Sequence, residues 1–380
     1  MLSSIRTVYL TNLLKLFKDN YCGGIYFSLC YNNSMRLIFL IFVLISLKAQ
    51  SQDLGYSEEV IANYENGILA YQRNDSKTAA TLFNQCISAD SSCFEAHYNL
   101  ALIHFEQAKF KQAMASAFNA EKLRPFDARL ASLIGRTHYQ QSNYPKAEIY
   151  LKRALSIGDS NADNLLYLAL SLQKQDNFKY ALHYFNELLS LYPPKMDYYF
   201  NRGLLYTEME EFENAMNDFE AALGNGIDAL PNIYYHLANT SLKLGEGEQA
   251  LAYMDEGLNI VDKKEKIALL LLKGTFYRDI GAYETAATHY TAAYELENEN
   301  PLVLTHQAAV MIDLEKYETA IDKCNAAIAL NPNQMEAYFN RGIAHEMIRD
   351  VDQACSDWQK AFVLGSQKAI QYLNGPVCNE

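Results

Sequence analysis

Nine times along this chain a small residue is followed, twelve positions later, by alanine. The pairs are Gly67/Ala79, Ala101/Ala113, Gly135/Ala147, Ala169/Ala181, Gly203/Ala215, Ala238/Ala250, Gly274/Ala286, Ala308/Ala320 and Gly342/Ala354. Successive pairs are 34, 34, 34, 34, 35, 36, 34 and 34 residues apart. A chain with nine in-phase copies is an array of one small unit, because each copy must bury its apolar face against its neighbours. The string "YFNRG", at Tyr199 and again at Tyr338, is that unit caught twice, 139 residues apart.

The rest of the pattern is helical. No stretch alternates with period two for long enough to suggest a sheet, and only 8 Pro and 17 Gly interrupt 380 residues. An aromatic stands three before the second Ala in six units (Phe110, Tyr144, Phe178, Phe212, Tyr283, Tyr317), and Pro closes three units (Pro125, Pro193, Pro332). The small positions suit places where two helix axes come close, and Pro ends a helix because it has no N–H to donate. The sixth unit departs: Gly247 replaces the aromatic, and "VDKKEK" after it reads as a solvated loop tip, as does "GNGIDALP" before it.

A 34-residue period with two helices per unit resembles the tetratricopeptide repeat family, over about residues 60–366. The resemblance implies an all-α fold: a right-handed superhelical α-solenoid of about nine helix–turn–helix units, starting near residues 60, 94, 128, 162, 196, 231, 267, 301 and 335. Residues 367–374 form a capping helix over the last exposed face and 375–380 a tail. The "ACSDWQKAFVLG" before the cap resembles the closing unit of exported bacterial members of the family.

Charge and the N-terminus bear on location. The chain carries 32 Lys plus Arg against 45 Asp plus Glu, a net of −13, which argues against non-specific binding to nucleic acid or an anionic membrane. Met35 opens "MRLIFLIFVLISLKAQ": one Arg, then an eleven-residue apolar run, Leu37 to Leu47, broken only by Ser46, too short to span a bilayer and ordered like a secretory signal peptide over 35–49, cut after Ala49. Residues 1–34 fit no part of a leader and read as an upstream extension ahead of a true start at Met35. The expected location is therefore exported, in the periplasm or envelope; the competing reading is an uncleaved N-terminal anchor.

In an exported chain cysteines can oxidise. Cys355 and Cys378 are placed to pin the cap, and Cys86 and Cys93 flank the end of one B helix; for each pair a disulfide and two packed thiols are both open. Cys324 falls at a core position. No CxxC or HxxxH spacing suggests a metal, no cofactor fingerprint occurs, and His345 in "HEM" lacks the second His of a zinc protease helix. His104, His138 and His345 share one packing register. Catalysis is not expected.

The family resemblance implies that helix A of each unit lines a concave groove. On that phase the groove holds Tyr64, Tyr98, Phe105, Tyr139, Phe200, Tyr235 and Phe339, with Arg129 and Arg136 as its basic pair. Rigid rings of this kind suit a helix or extended peptide; packing against the next helix A is the competing role. Asn99, Asn201 and Asn340 stand where some members hold peptide backbone, but three of nine units make no continuous ladder. The Lys/Asn and Lys/Arg elements that clamp C-terminal carboxylates elsewhere in the family are absent around Asn201 and Asn340. The function this implies is a non-catalytic scaffold or adaptor for a protein or peptide partner. Two alternatives stand beside it: a structural or glycan-associated envelope protein, and an accessory subunit of a separately encoded enzyme.

Overall fold

A computed structural model describes residues 56–193, 195–224 and 232–378. The proposed extension (1–34) and leader (35–49), and most of "GNGIDALP", lie outside the described residues. Within them are nineteen α-helices and no strand, and no helix is long and apolar enough to cross a membrane. The chain divides into two compact units at Ser171/Leu172, near the end of the seventh helix.

Unit one holds three helix hairpins: α1 (Glu58–Gln72) with α2 (Ser76–Ala89), α3 (Phe94–Glu106) with α4 (Phe110–Leu123), and α5 (Ala128–Gln140) with α6 (Tyr144–Ser156). Most of α7 (Ala162–Gln173) completes it. Unit two opens with α8 (Phe178–Leu191). It continues through α9 (Met196–Glu208) and α10 (Phe212–Gly224), α11 (Ile233–Lys243) and α12 (Gly247–Ile260), and α13 (Lys263–Asp279) and α14 (Tyr283–Leu296). Then come α15 (Pro301–Asp313) and α16 (Tyr317–Leu330), α17 (Met335–Met347) and α18 (Val351–Val363), and the cap α19 (Gln367–Leu373).

In each hairpin the odd-numbered A helix crosses the even-numbered B helix where the sequence placed its small residues. The Ala at the twelfth position is fully buried, as at Ala79, Ala147, Ala215 and Ala354. The residue sixteen after the A-helix small position is what the crossing is built around. A Cβ on Gly67 would lie 2.7 Å from the Phe83 ring, one on Gly203 2.7 Å from Phe219, and one on Gly342 2.5 Å from Trp358. At three of the four A helices that carry Ala instead, the sixteenth residue is not aromatic: Ala117 after Ala101, Met254 after Ala238, Cys324 after Ala308, all buried; Ala169 is the exception, with the buried Phe185 sixteen residues on. Interiors are close-packed, so at those three crossings the methyl on one side is matched by lost volume on the other.

The A–B turns require one residue in the left-handed region. Gly245 (φ +80°) and Gly281 (φ +78°) supply it in two hairpins; Asn74, Ala108, Ser142, Asp176, Glu210, Glu315 and Arg349 adopt it elsewhere with φ between 55° and 66°. The strained residue is retained because the turn satisfies the helix's last carbonyls, as when Lys109 N–H donates to His104 C=O at 2.9 Å.

Two expectations are corrected. "VDKKEK" is not a loop tip: Asp262 caps Glu265 N–H at 2.9 Å, and α13 begins at Lys263. Cys86 and Cys93 are not bonded. Both are free and buried in the core between α1, α2 and α3, where the Cys86 thiol donates to Val60 C=O at 3.5 Å and burial pushes it up to about 12. At the other end, one 3₁₀ turn (Pro376–Cys378) returns the chain to α18 and joins Cys378 to Cys355, with Cα atoms 5.7 Å apart. The cap seats Ala369 and Tyr372 on Trp358 and Phe339, the Tyr372 ring 4.7 and 5.2 Å from theirs.

The arginine of "YFNRG" is a cross-brace. Arg202 donates two hydrogen bonds to Asp218 on α10 at 2.7 Å and one to Asn186 on α8 at 2.7 Å. Arg341 repeats this with Asp357 on α18 (2.8 and 2.7 Å) and Asn325 on α16 (2.5 Å). Each ties an A helix to its own B helix and to the one before. The carboxylates are almost sealed, 4% and 3% exposed. Histidines occupy other seams: His236 lies 5.4 Å from the Phe200 and Phe219 rings, and His306 5.2 Å from Tyr290. Burial holds both imidazoles below their ordinary pKa, aided at His306 by Arg278.

Three outcomes are expected in denaturation experiments. Gly203→Ala should lower stability by about 1–3 kcal/mol through overpacking against Phe219, whereas Gly224→Ala, with open space around it, should not. Arg341→Ala, which strands the buried Asp357 carboxylate, should cost about 3–5 kcal/mol. The stability contributed by neutral His236 and His306 is present above their unfolded pKa of about 6.5 and is lost as the pH falls from there toward the lower folded values. Melting temperature should therefore drop between about pH 7 and pH 5, and drop less in His236→Gln/His306→Gln.

Candidate functional site

The A helices of unit one present a continuous strip of rings and charges. Tyr64 (α1), Tyr98 and Phe105 (α3), and Tyr139 (α5) are half-buried along it, joined by Tyr167 from α7, a ring to which the sequence pattern assigns no binding role. Each A helix leans its rings on the next. The Arg129 guanidinium lies 5.0 Å over the Tyr98 ring, and Arg136 lies 4.9 Å over Phe105 and 5.5 Å over Tyr167. Tyr139 meets Tyr167 edge-on at 5.1 Å and Tyr144 at 5.6 Å. The strip is thus a cation–π ladder running from one helix to the next.

Its cations are already countered. Arg129 contacts Asp127 at 2.8 Å and Glu95 at 3.4 Å; Glu95 also holds Arg124 at 2.9 Å. Arg136 meets Asp163 at 3.2 Å, while its buried Nε has no partner. Burial alone would raise Asp127, but the hydrogen bond and charge of Arg129 outweigh it and hold the carboxyl below its usual range. Burial, with Glu95 beside it, raises the Tyr64 hydroxyl and keeps it neutral. Arg129 remains exposed, and the Tyr98 ring beneath it is half-buried.

The asparagines are less open than their register suggests. Asn99 donates to its own helix at Glu95 C=O (2.8 Å) and reaches the Tyr64 hydroxyl at 3.5 Å; Asn201 donates to Asp197 C=O at 2.6 Å. Asn340 is half-buried on α17. In unit two the rings serve the core more than a surface. Phe200 packs 5.7 Å from Phe219, Tyr235 stands edge-on to His236 at 5.7 Å, and Phe339 lies under the cap. The exposed strip is therefore best developed in unit one. The Asn–Arg–Asp braces escape a reading of the sequence by helix pattern, although Asn186, Arg202 and Asp218 stand at intervals of sixteen, as do Asn325, Arg341 and Asp357. That equal spacing is the signal that could have found them. Among the described residues no group of three or more His, Cys, Asp or Glu could hold a metal ion.

Comparisons with known proteins agree with this architecture. Models of the tetratricopeptide repeat match residues 64–128, 109–162, 163–194 and 197–224, and a TPR repeat model matches 308–348, together more than half of the chain. The chain is 24% identical to the DnaJ homolog subfamily C member 3 of Gallus gallus over 353 residues, covering 84% of this chain and 69% of that protein. It is 36% identical over 100 residues to RNA polymerase II-associated protein 3 of Xenopus tropicalis, covering 26% of this chain but only 15% of that protein. A tetratricopeptide repeat protein from Parabacteroides merdae shares the fold at a TM-score of 0.50 and 13% identity, covering 67% of this chain and all of the other. With nine small-residue pairs in phase and repeat models matched along both units, the chain belongs to the tetratricopeptide repeat family.

Proposed function

We propose that this chain is a non-catalytic interaction scaffold that holds a peptide, helix or protein partner against its A-helix face. The observation that carries this reading is the strip in unit one: Tyr98 and Arg129 stacked, half-open, and flanked by Tyr64 and Phe105. Rigid rings and a guanidinium already ordered by Glu95 and Asp127 lose little entropy on binding, as interface anchors should. The paired carboxylates also make the strip amphoteric, which favours a peptide with both apolar and polar groups over a pure polyanion. A sugar-stacking role gains no support, since Trp358 is fully buried beneath the cap. The leader over 35–49 places the scaffold, on our reading, outside the cytoplasm of a bacterial cell, and the Cys355–Cys378 bond suits such a compartment.

Two measurements test this. Affinity capture from an envelope extract with the chain as bait should recover a protein that is reduced by about tenfold with Tyr98→Ala/Arg129→Ala bait; equal recovery would move the site off this face. Mass analysis of the secreted or periplasmic protein should find Gln50 first, whereas retention of residues 35–49 would replace the leader by an anchor.

A further inference from the structure

The outward face of unit one carries a second surface, unrelated to the strip. The B helices α4 and α6 together carry five Lys and Arg (Lys111, Lys122, Lys146, Lys152, Arg153) against two Glu (Glu121, Glu148), a net of +3 in a chain whose total is −13. Lys111, Phe118 and Lys122 share one exposed stripe of α4, and Ile149 lies on the exposed face of α6. Phe126, in the turn after α4, is 78% exposed, and Phe118 56%. Arg153 of α6 makes these one patch: it contacts Glu121 of α4 at 2.9 Å and lies 5.8 Å over the Phe126 ring, while the Lys122 ammonium sits 4.5 Å over Phe118. Phe118, Phe126 and Ile149, with Lys122 and Arg153 over two of them, form an exposed apolar surface with a basic edge.

The complementary surface is in the same molecule. Residues 172–380 hold 16 Lys and Arg against 31 Asp and Glu, a net of −15. The turn from α17 to α18 exposes Met347, Ile348 and Val351 (51, 39 and 41%) within five residues, beside Glu346, Asp350 and Asp352 and one cation, Arg349, a local net of −2. We propose that the basic, phenylalanine-bearing face of α4 and α6 docks onto this acidic, aliphatic turn of a second copy of the chain. Apolar surfaces supply the contact, and opposite charges set which patch meets which. An anionic bilayer fits less well, because the net charge of the whole chain opposes its approach. The two patches differ, so each copy offers one of each to its neighbours.

Sedimentation velocity on the intact chain decides the matter. At low salt, about 20 mM, the expected result is concentration-dependent self-association, collapsing to monomer at about 500 mM. Lys122→Glu should weaken this association about tenfold with an unchanged helical circular-dichroism spectrum, and adding Asp352→Lys to the same chain should restore it. Phe118→Ser/Phe126→Ser should weaken it independently of salt. A monomer at low salt, association unaltered by Lys122→Glu, or failure of the charge swap to restore it would each overturn the proposal. So would Lys122-dependent binding to phosphatidylglycerol vesicles without self-association. The Tyr98→Ala/Arg129→Ala chain should associate normally, which separates this surface from the strip.

Discussion

How near an A helix can come to its own B helix governs everything else in this protein. At Gly203 and Gly342 the missing Cβ lets Phe219 and Trp358 lie directly on the backbone of the partner helix. At Ala101 and Ala308 the methyl is present, and the opposing side chain shrinks to Ala117 or Cys324. At these crossings volume is shared between two positions sixteen residues apart, so a methyl added on one side presses on the other. Dispersion attraction across such a crossing is weak for any one pair of atoms but sums over many, and it recurs at hairpin after hairpin. Because the crossings hold the hairpins rigid, the A helices can carry polar and aromatic groups at a fixed spacing.

Those groups do two things at once. Arg129 and Arg136 stack on rings of neighbouring A helices and are held by Glu95, Asp127 and Asp163, so they knit the face together while remaining part of it. Unit two solves the same problem inside: Arg202 and Arg341 turn toward buried carboxylates and brace three helices each. A buried ion pair of this kind adds little net stability over an apolar replacement but penalises wrong registry, since any slip would strand the charge. Arg129 and Arg136 thus lie along the A-helix face of unit one, while Arg202 and Arg341 turn into unit two.

The recurrence of small residues made the fold legible, because steric exclusion at a helix crossing leaves a periodic trace in the chain. It also located the buried His138 and Cys324. The surface was only partly legible. Phe200 and Phe339 occupy groove register, yet tertiary packing draws them against Phe219 and Tyr372, which no single-helix pattern reveals. Asn99 and Asn201 have the right identity, but a free amide in an A helix bonds its own backbone when no ligand competes. "VDKKEK" resembles a loop because lysines favour solvent, while the decisive signal is Asp262 as a cap. Cys86 and Cys93 are close in sequence, but the Cys86 thiol bonds to α1, toward the Val60 carbonyl.

The C-terminal bond carries a consequence for how the molecule comes apart. A seven-residue helix such as α19 cannot sustain itself in water, and in a linear array the terminal element is normally the first to fray. Joining Cys355 to Cys378 closes a loop around that element, so its ends can separate only by a short, entropically restricted distance. Opening in unit two is thereby displaced from the tail toward interior seams such as the one between α12 and α13. The order in which repeats are lost, and so the fragments that proteolysis would release, depends on the thiol–disulfide balance of the surroundings as well as on the packing of any one repeat.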